Sequence, residues 1–156
     1  NYAGQAYVYS FAVTLVPAFE TWSDQGEAAG DWFGYSVASA GDVNGDGGID
    51  IVVINRDAPA YLLMNTNVEN GSFVRMHLLD RHGAPAQNTT VRFNLGGMKM
   101  RRVACTSGGY VSSHDPSLHI GIGSEPNITD IEITWPDGTK QRIDSISAGE
   151  IRTIQQ

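Results

Sequence analysis

The chain has 156 residues, the length of one ordinary domain or two small ones, and can bury about two thirds of its unfolded surface. Apolar residues make up 41%, which excludes a disordered chain, and charged residues only 17% against a usual ~25%. The formal charge of −7 argues against nucleic acid as a partner, because phosphate binding requires clustered Lys and Arg, and it leaves room for a cation.

Helical periodicity is hard to find, and 18 Gly point to short strands joined by tight turns. Residues 4–15 alternate Tyr7, Tyr9 and Phe11 against Val8, Ser10 and Ala12, a strand pattern. The longest apolar stretch, 6–19, is interrupted by Tyr7, Tyr9, Ser10, Thr14 and Pro17 and has no basic flank. It is too short to span a bilayer and lacks the charged start of a signal peptide. Beginning at Asn1 rather than Met, the chain reads as a processed or excerpted product. Residues 20–31 are polar and Gly-bearing and read as a surface loop.

Two apolar runs, 33–40 and 49–54, flank an Asp/Asn/Gly cluster as a β-turn-β unit; 61–64 is a further strand and 65–71 a linker. Seven strands follow at 73–79, 89–94, 99–105, 117–122, 130–135, 140–143 and 150–154. Trp135-Pro136-Asp137-Gly138-Thr139 carries the residues of a type I turn between the strands on either side of it. The predicted fold class is therefore all-β. About one propeller-like blade with a leading strand occupies 1–70, and a small antiparallel β-sandwich or barrel occupies 71–156.

The sharpest chemistry lies in Asp42-Val43-Asn44-Gly45-Asp46-Gly47-Gly48-Ile49-Asp50. Oxygen side chains stand at relative positions 1, 3, 5 and 9, Gly at 6, and the Gly48 carbonyl is available at 7. Carboxylates crowded at ~5 Å repel by roughly 3 kcal/mol per pair at an effective dielectric near 20. A hard divalent cation with six to eight oxygen ligands reverses that sign, and Gly47 permits the turn that aims Asp42, Asn44 and Asp46 inward. An EF-hand requires Glu at position 12, which here is Val53, and the flanks read as strands. The expected cofactor is Ca2+ held by Asp42, Asn44, Asp46, Gly48 and Asp50; an Asn/Asp/Gly hairpin without an ion is the alternative.

The run from Phe33-Gly34-Tyr35-Ser36 through Gly41-Asp42-Val43-Asn44-Gly45-Asp46-Gly47 resembles an FG-GAP repeat, the blade unit of integrin α-type β-propellers. The resemblance implies calcium at Asp42, Asn44, Asp46 and Asp50 with the Gly48 carbonyl. The preceding 4–9 is similar to the outer strand of a neighbouring blade. In the second half, Val91-Arg92-Phe93, Gly108-Gly109-Tyr110-Val111-Ser112-Ser113, Leu118-His119-Ile120-Gly121-Ile122-Gly123 and Ile131-Glu132-Ile133-Thr134-Trp135-Pro136-Asp137-Gly138 resemble the ASPIC/UnbV domain. The Asn-Arg-hydrophobic-Gly-Ala stretch usual near its start is replaced by His82-Gly83-Ala84-Pro85-Ala86. That resemblance implies a secreted or cell-surface setting and transfers no catalytic residue.

Other candidates read as structural. Ser113-His114-Asp115 has triad residue types but lies in one irregular segment. Gly34-Tyr35-Ser36-Val37-Ala38 imitates a nucleophile elbow but runs into the acidic loop. His77, His82, His114 and His119 lack metal-site spacing. The lone Cys105 excludes an internal disulfide and reads as a small core residue in a strand, and Arg101-Arg102 beside Lys99 reads as a solvated strand edge. Asn70, Asn88 and Asn127 open Asn-x-Ser/Thr sequons and are candidate glycosylation sites.

A propeller closes with several blades, and this chain holds about one. Either a longer protein or further copies must cover its faces. In the second case 4–15, as an unmatched strand, would add to an adjacent subunit and build a head-to-tail filament. The expected function is a non-enzymatic extracellular calcium-binding structural or adhesion module with no catalytic residue. Its expected partners are its own copies, the rest of a propeller, or glycans; no nucleic acid and no membrane span are expected. The alternative is a carbohydrate-binding part of a larger secreted or surface enzyme, with Trp22, Trp32 and Trp135 stacking on sugars.

Overall fold

A computed structural model describes residues 5–9, 20–25, 33–66 and 72–156. All regular elements among them are strands: β1 Gln5–Tyr9, β2 Glu20–Gln25, β3 Ser36–Gly41, β4 Asp50–Ile54, β5 Tyr61–Leu63, β6 Ser72–Leu79, β7 Thr90–Leu95, β8 Met98–Val103, β9 Leu118–Gly123, β10 Asn127–Thr134, β11 Lys140–Ser147 and β12 Ile151–Gln155. The fold is all-β, and among the described residues no helix is long and apolar enough to cross a membrane. Three sheets of three or four strands, ordered β3-β4-β5, β12-β6-β9 and β11-β10-β7-β8, accompany the two-stranded ribbon β1-β2.

Four sequence expectations change. The polar 20–31 segment contains strand β2 rather than a continuous loop, because backbone pairing of Gln5–Tyr9 with Glu20–Gln25 overrides weak strand propensity. For the same reason the leading strand is not unmatched: β2 occupies one of its edges, and the rest of 10–15 lies outside the described residues. The C-terminal strands form two sheets and no closed barrel, and they are not wholly antiparallel, since β12 runs parallel to β6 from Ile151↔Arg75 to Gln155↔Leu79. The turn after β11 lifts the chain to the other sheet, with Gly149 at φ 75° donating its N–H to Phe73 O at 2.7 Å. Finally, Cys105 is exposed and follows β8, so it is no core residue.

Alternation builds the sandwich core. Val91 and Phe93 of β7, Leu118, Ile120 and Ile122 of β9, and Val74, Met76 and Leu78 of β6 face inward and pack as one cluster. β10 needs a correction of phase to join it, because Ile128 and Ile131 are three residues apart. Asp130, at φ 50°, lies where the β10–β7 register shifts between Thr129 and Glu132, so Ile128, Ile131 and Ile133 all reach the core. Each fully buried Ile contributes about 1.5–3 kcal/mol. The hairpin β10–β11 closes at Pro136-Asp137-Gly138, where Gly138 N donates to Trp135 O at 2.9 Å and Gly138 takes φ 86°.

The β3-β4-β5 unit is far poorer in core. Phe33, Ala38 and Val53 are its buried apolar residues, and none belongs to the sandwich cluster. Its stability is lent by the segment between β8 and β9, which lies along the edge of β3. Ser39 N donates to His114 Nδ1 (3.0 Å), Asp115 N donates to Ser39 O (3.2 Å), and Ser36 Oγ donates to Tyr110 O (3.0 Å). These bonds cover main-chain groups that an edge strand otherwise leaves open.

Candidate metal centre

The acidic loop joins β3 to β4, a connection in which Gly41, Gly45 and Gly47 have φ 75°, 79° and 92°. Such φ values are reached at low cost by glycine, which has no Cβ, and this explains the Gly spacing. The loop also lies against the sandwich: a Cβ on Gly47 would stand 2.5 Å from Phe73 Cε1 of β6.

Each predicted ligand has a distinct setting. Asp50, fully buried, staples the loop, its Oδ2 accepting from Val43 N (2.7 Å) and its Oδ1 from Asn65 N (2.8 Å). Asp42 has a side chain only 1% exposed; Oδ2 accepts from Gly47 N at 3.2 Å, while Oδ1 has no hydrogen-bond partner. Asn44 and Asp46 are exposed at the tip, where Asn44 Nδ2 donates to Asp46 Oδ2 (2.7 Å) and Asp46 Oδ1 accepts from Gly48 N (2.8 Å). The carboxylates are thus held partly by the loop's own N–H groups. Among the described residues no three His, Cys, Asp or Glu side chains form a ready-made metal cluster.

The residues nevertheless fit a hard divalent cation in kind. All the side-chain donors are oxygens, one buried carboxylate oxygen is orphaned, and a carboxylate oxygen accepting one N–H keeps a free lone pair. The charge balance points the same way. Arg75 Nη2 of β6 stands 3.4 Å from Asp42 Oδ2, and the Arg75 side chain is only 10% exposed. One guanidinium against the three loop carboxylates leaves two negative charges.

Sequence reasoning missed the partners from β6 and β9. Phe73 stacks on His119 with ring centroids 4.9 Å apart, and burial, aided by Arg75, holds the His119 imidazole below its usual range. The signal available was Arg75 itself, a lone charge in the apolar run Phe73-Val74-Arg75-Met76.

Ser113-His114-Asp115 does not assemble a triad. His114 accepts from the β3 backbone, and Asp115 faces Gly41 and accepts from Ser117 Oγ and Ser117 N. Ser36 of the elbow-like run is buried and bonds to main-chain carbonyls. Trp135 is 3% exposed and offers no sugar-stacking face; the side chains of Trp22 and Trp32 lie outside the described residues. Of the sequon asparagines, Asn88 is exposed at φ 66°, Asn127 is half-buried at the start of β10, and Asn70 lies outside the described residues.

Residues 80–156 match the family model described as ASPIC and UnbV. No curated protein matches the chain. The match begins after β6, yet β6 is the middle strand of its sheet, so the structural unit extends to residue 72.

Proposed function

We propose that this protein is a non-enzymatic extracellular module in which a calcium ion, taken up by the β3–β4 loop, pins an FG-GAP-like blade to an ASPIC/UnbV sandwich. One observation carries the reading: Asp42, desolvated and with Oδ1 unpartnered, lies in a loop whose carboxylates exceed their one buried counter-charge by two. An isolated buried carboxylate is costly, and an ion that binds the folded loop is correspondingly stabilising. Asp42, Asn44, Asp46, Asp50 and the Gly48 carbonyl would hold it, and it would supply charge neutralisation and rigidity to the loop. Phe33-Gly34 and the Asp42–Asp50 spacing support reading 33–66 as one blade. The exposed Val37, Ile54 and Leu62 suit a unit that packs against a further blade or another copy. Addition of β1 to a neighbouring subunit has only that strand's remaining edge to use, which makes blade-to-blade packing the better-supported route to assembly.

Calorimetric titration of the chelator-treated protein with calcium tests the reading, together with melting in calcium and in chelator. Saturation at a hundred times Kd would add about 2.7 kcal/mol to the folded state, and Asp42→Asn and Asp46→Asn would each weaken the titration. No heat and identical melts would sink the proposal.

A further inference from the structure

The outer face of the four-stranded sheet carries a net positive charge in an acidic chain. Residues opposite one another across paired strands share a face. Registers Arg142↔Glu132, Glu132↔Arg92 and Arg92↔Arg101 therefore line up one row across β11, β10, β7 and β8. Their neighbours Val91, Phe93, Ile131 and Ile133 are buried, so the row faces outward. Lys140 and Lys99, two residues along from Arg142 and Arg101, flank it on the same face. Five of the ten basic residues of an acidic chain stand here, against Glu132 within the row and, beside it, Asp144 two residues beyond Arg142 and Asp130, which accepts from Asn94 Nδ2, leaving an excess of two positive charges.

The geometry is costly without a ligand. Arg92 and Arg101 are directly opposed like charges, an arrangement that destabilises a sheet. Glu132 holds Lys140 at 3.0 Å, Arg142 at 3.2 Å and Arg92 at 3.9 Å, and the hydrogen bonds from Lys140, foremost, and Arg142 keep its carboxyl below the usual range. Glu132 thus fixes three side chains whose remaining N–H donors face solvent; Arg92, Lys140 and Arg142 are 55%, 57% and 82% exposed. Arg101 donates to Thr90 Oγ1, and among the described residues neither it nor Lys99 has an acidic partner.

We propose that this face binds a sulfated polysaccharide. A row of guanidinium groups at strand spacing, roughly 14 Å across four strands, presents planar forks to successive anionic groups of an extended chain. The other polyanions fit less well. The outward positions hold Thr90, Asn94, Val103 and Thr134 besides the charges, with no aromatic ring on which bases could stack. Val103, the aliphatic side chain among them, stands at the end of the edge strand β8 rather than at the middle of the face, where a protein interface places its desolvated anchor. This site is independent of the calcium reading, and it replaces stacking on Trp135 as the route to a glycan.

The full chain, titrated with dextran sulfate and with neutral dextran at physiological salt, provides the test, with polyglutamate and single-stranded DNA as competing polyanions. Dextran sulfate should bind, neutral dextran should not, and binding should weaken steeply with salt. Arg92→Gln/Arg101→Gln should weaken binding at least tenfold without lowering the melting temperature, since it removes a like-charge pair. Lys99→Gln/Arg101→Gln, which breaks no ion pair, should do the same, and Arg56→Gln in the other half should change binding less than twofold. The proposal is overturned by equal binding of neutral dextran, by polyglutamate or DNA binding as tightly as dextran sulfate, or by face variants that bind like Arg56→Gln.

Discussion

Asp42 and Arg75 form the pair on which the acidic loop turns, and each lacks hydrogen-bond partners the other does not supply. Truncating one partner of a buried pair leaves the other uncompensated, a loss of about 3–5 kcal/mol. Asp42→Ala should show that loss in urea denaturation with chelator present, and Asp42→Ala/Arg75→Met should recover most of it; equal stabilities for the single variant and the parent would remove the pair from the account. Gly47→Ala should cost about 1–3 kcal/mol in the same assay, because its φ is 92° and the new methyl meets Phe73. The loop's oxygen and Gly spacing was legible in sequence, since a turn of nine residues is governed by neighbours. Its contact with Arg75 and Phe73 was not, because which strand comes to lie beneath a loop depends on sheet order rather than on local composition.

At the scale of single elements, the β10–β11 hairpin shows local chemistry setting an acid limit. Asp137 in its turn is lowered to about 2, chiefly by the Thr139 hydroxyl and backbone N–H, then by Gln156 and Arg81. A depressed folded-state value means the stabilisation is complete above the ordinary carboxylate range and is lost as pH falls from about 3.8 towards 2. Melting temperature followed from pH 5 to pH 2 should fall less steeply in Asp137→Asn than in the parent, and parallel curves would contradict the assignment. The turn was readable because Pro136 and Gly138 each meet a fixed backbone requirement. The strand character of Glu20–Gln25 and the parallel placement of β12 were not readable, since both arise from pairing with a distant segment. The β10 register shift lies between these cases: Ile128 and Ile131 break the alternation in sequence, but only the core shows which phase wins.

Across the whole molecule, the uneven distribution of core makes the two β units unequal in stability. The sandwich has one continuous apolar cluster, whereas 33–66 buries Phe33, Ala38 and Val53 and leaves Val37, Ile54 and Leu62 exposed. A unit with so little core opens below the global free energy unless something outside it holds its strands. Here the holding groups are the 110–115 bonds to β3 and the loop contact with β6. His114→Ala removes the acceptor for Ser39 N, a loss of ~1 kcal/mol or somewhat more, so amides of β3 and β4 should exchange about fivefold to tenfold faster. Amides of β7 and β10, whose protection comes from the sandwich core, should keep their rates. Equal acceleration in both regions would mean the chain opens as one unit. No acceleration in either would mean the β3 edge is held by something other than this segment. If calcium binds as proposed, adding it should slow β3–β4 exchange in the parent and leave β7 and β10 unchanged, because the ion would stabilise the weak unit and the core already limits the strong one.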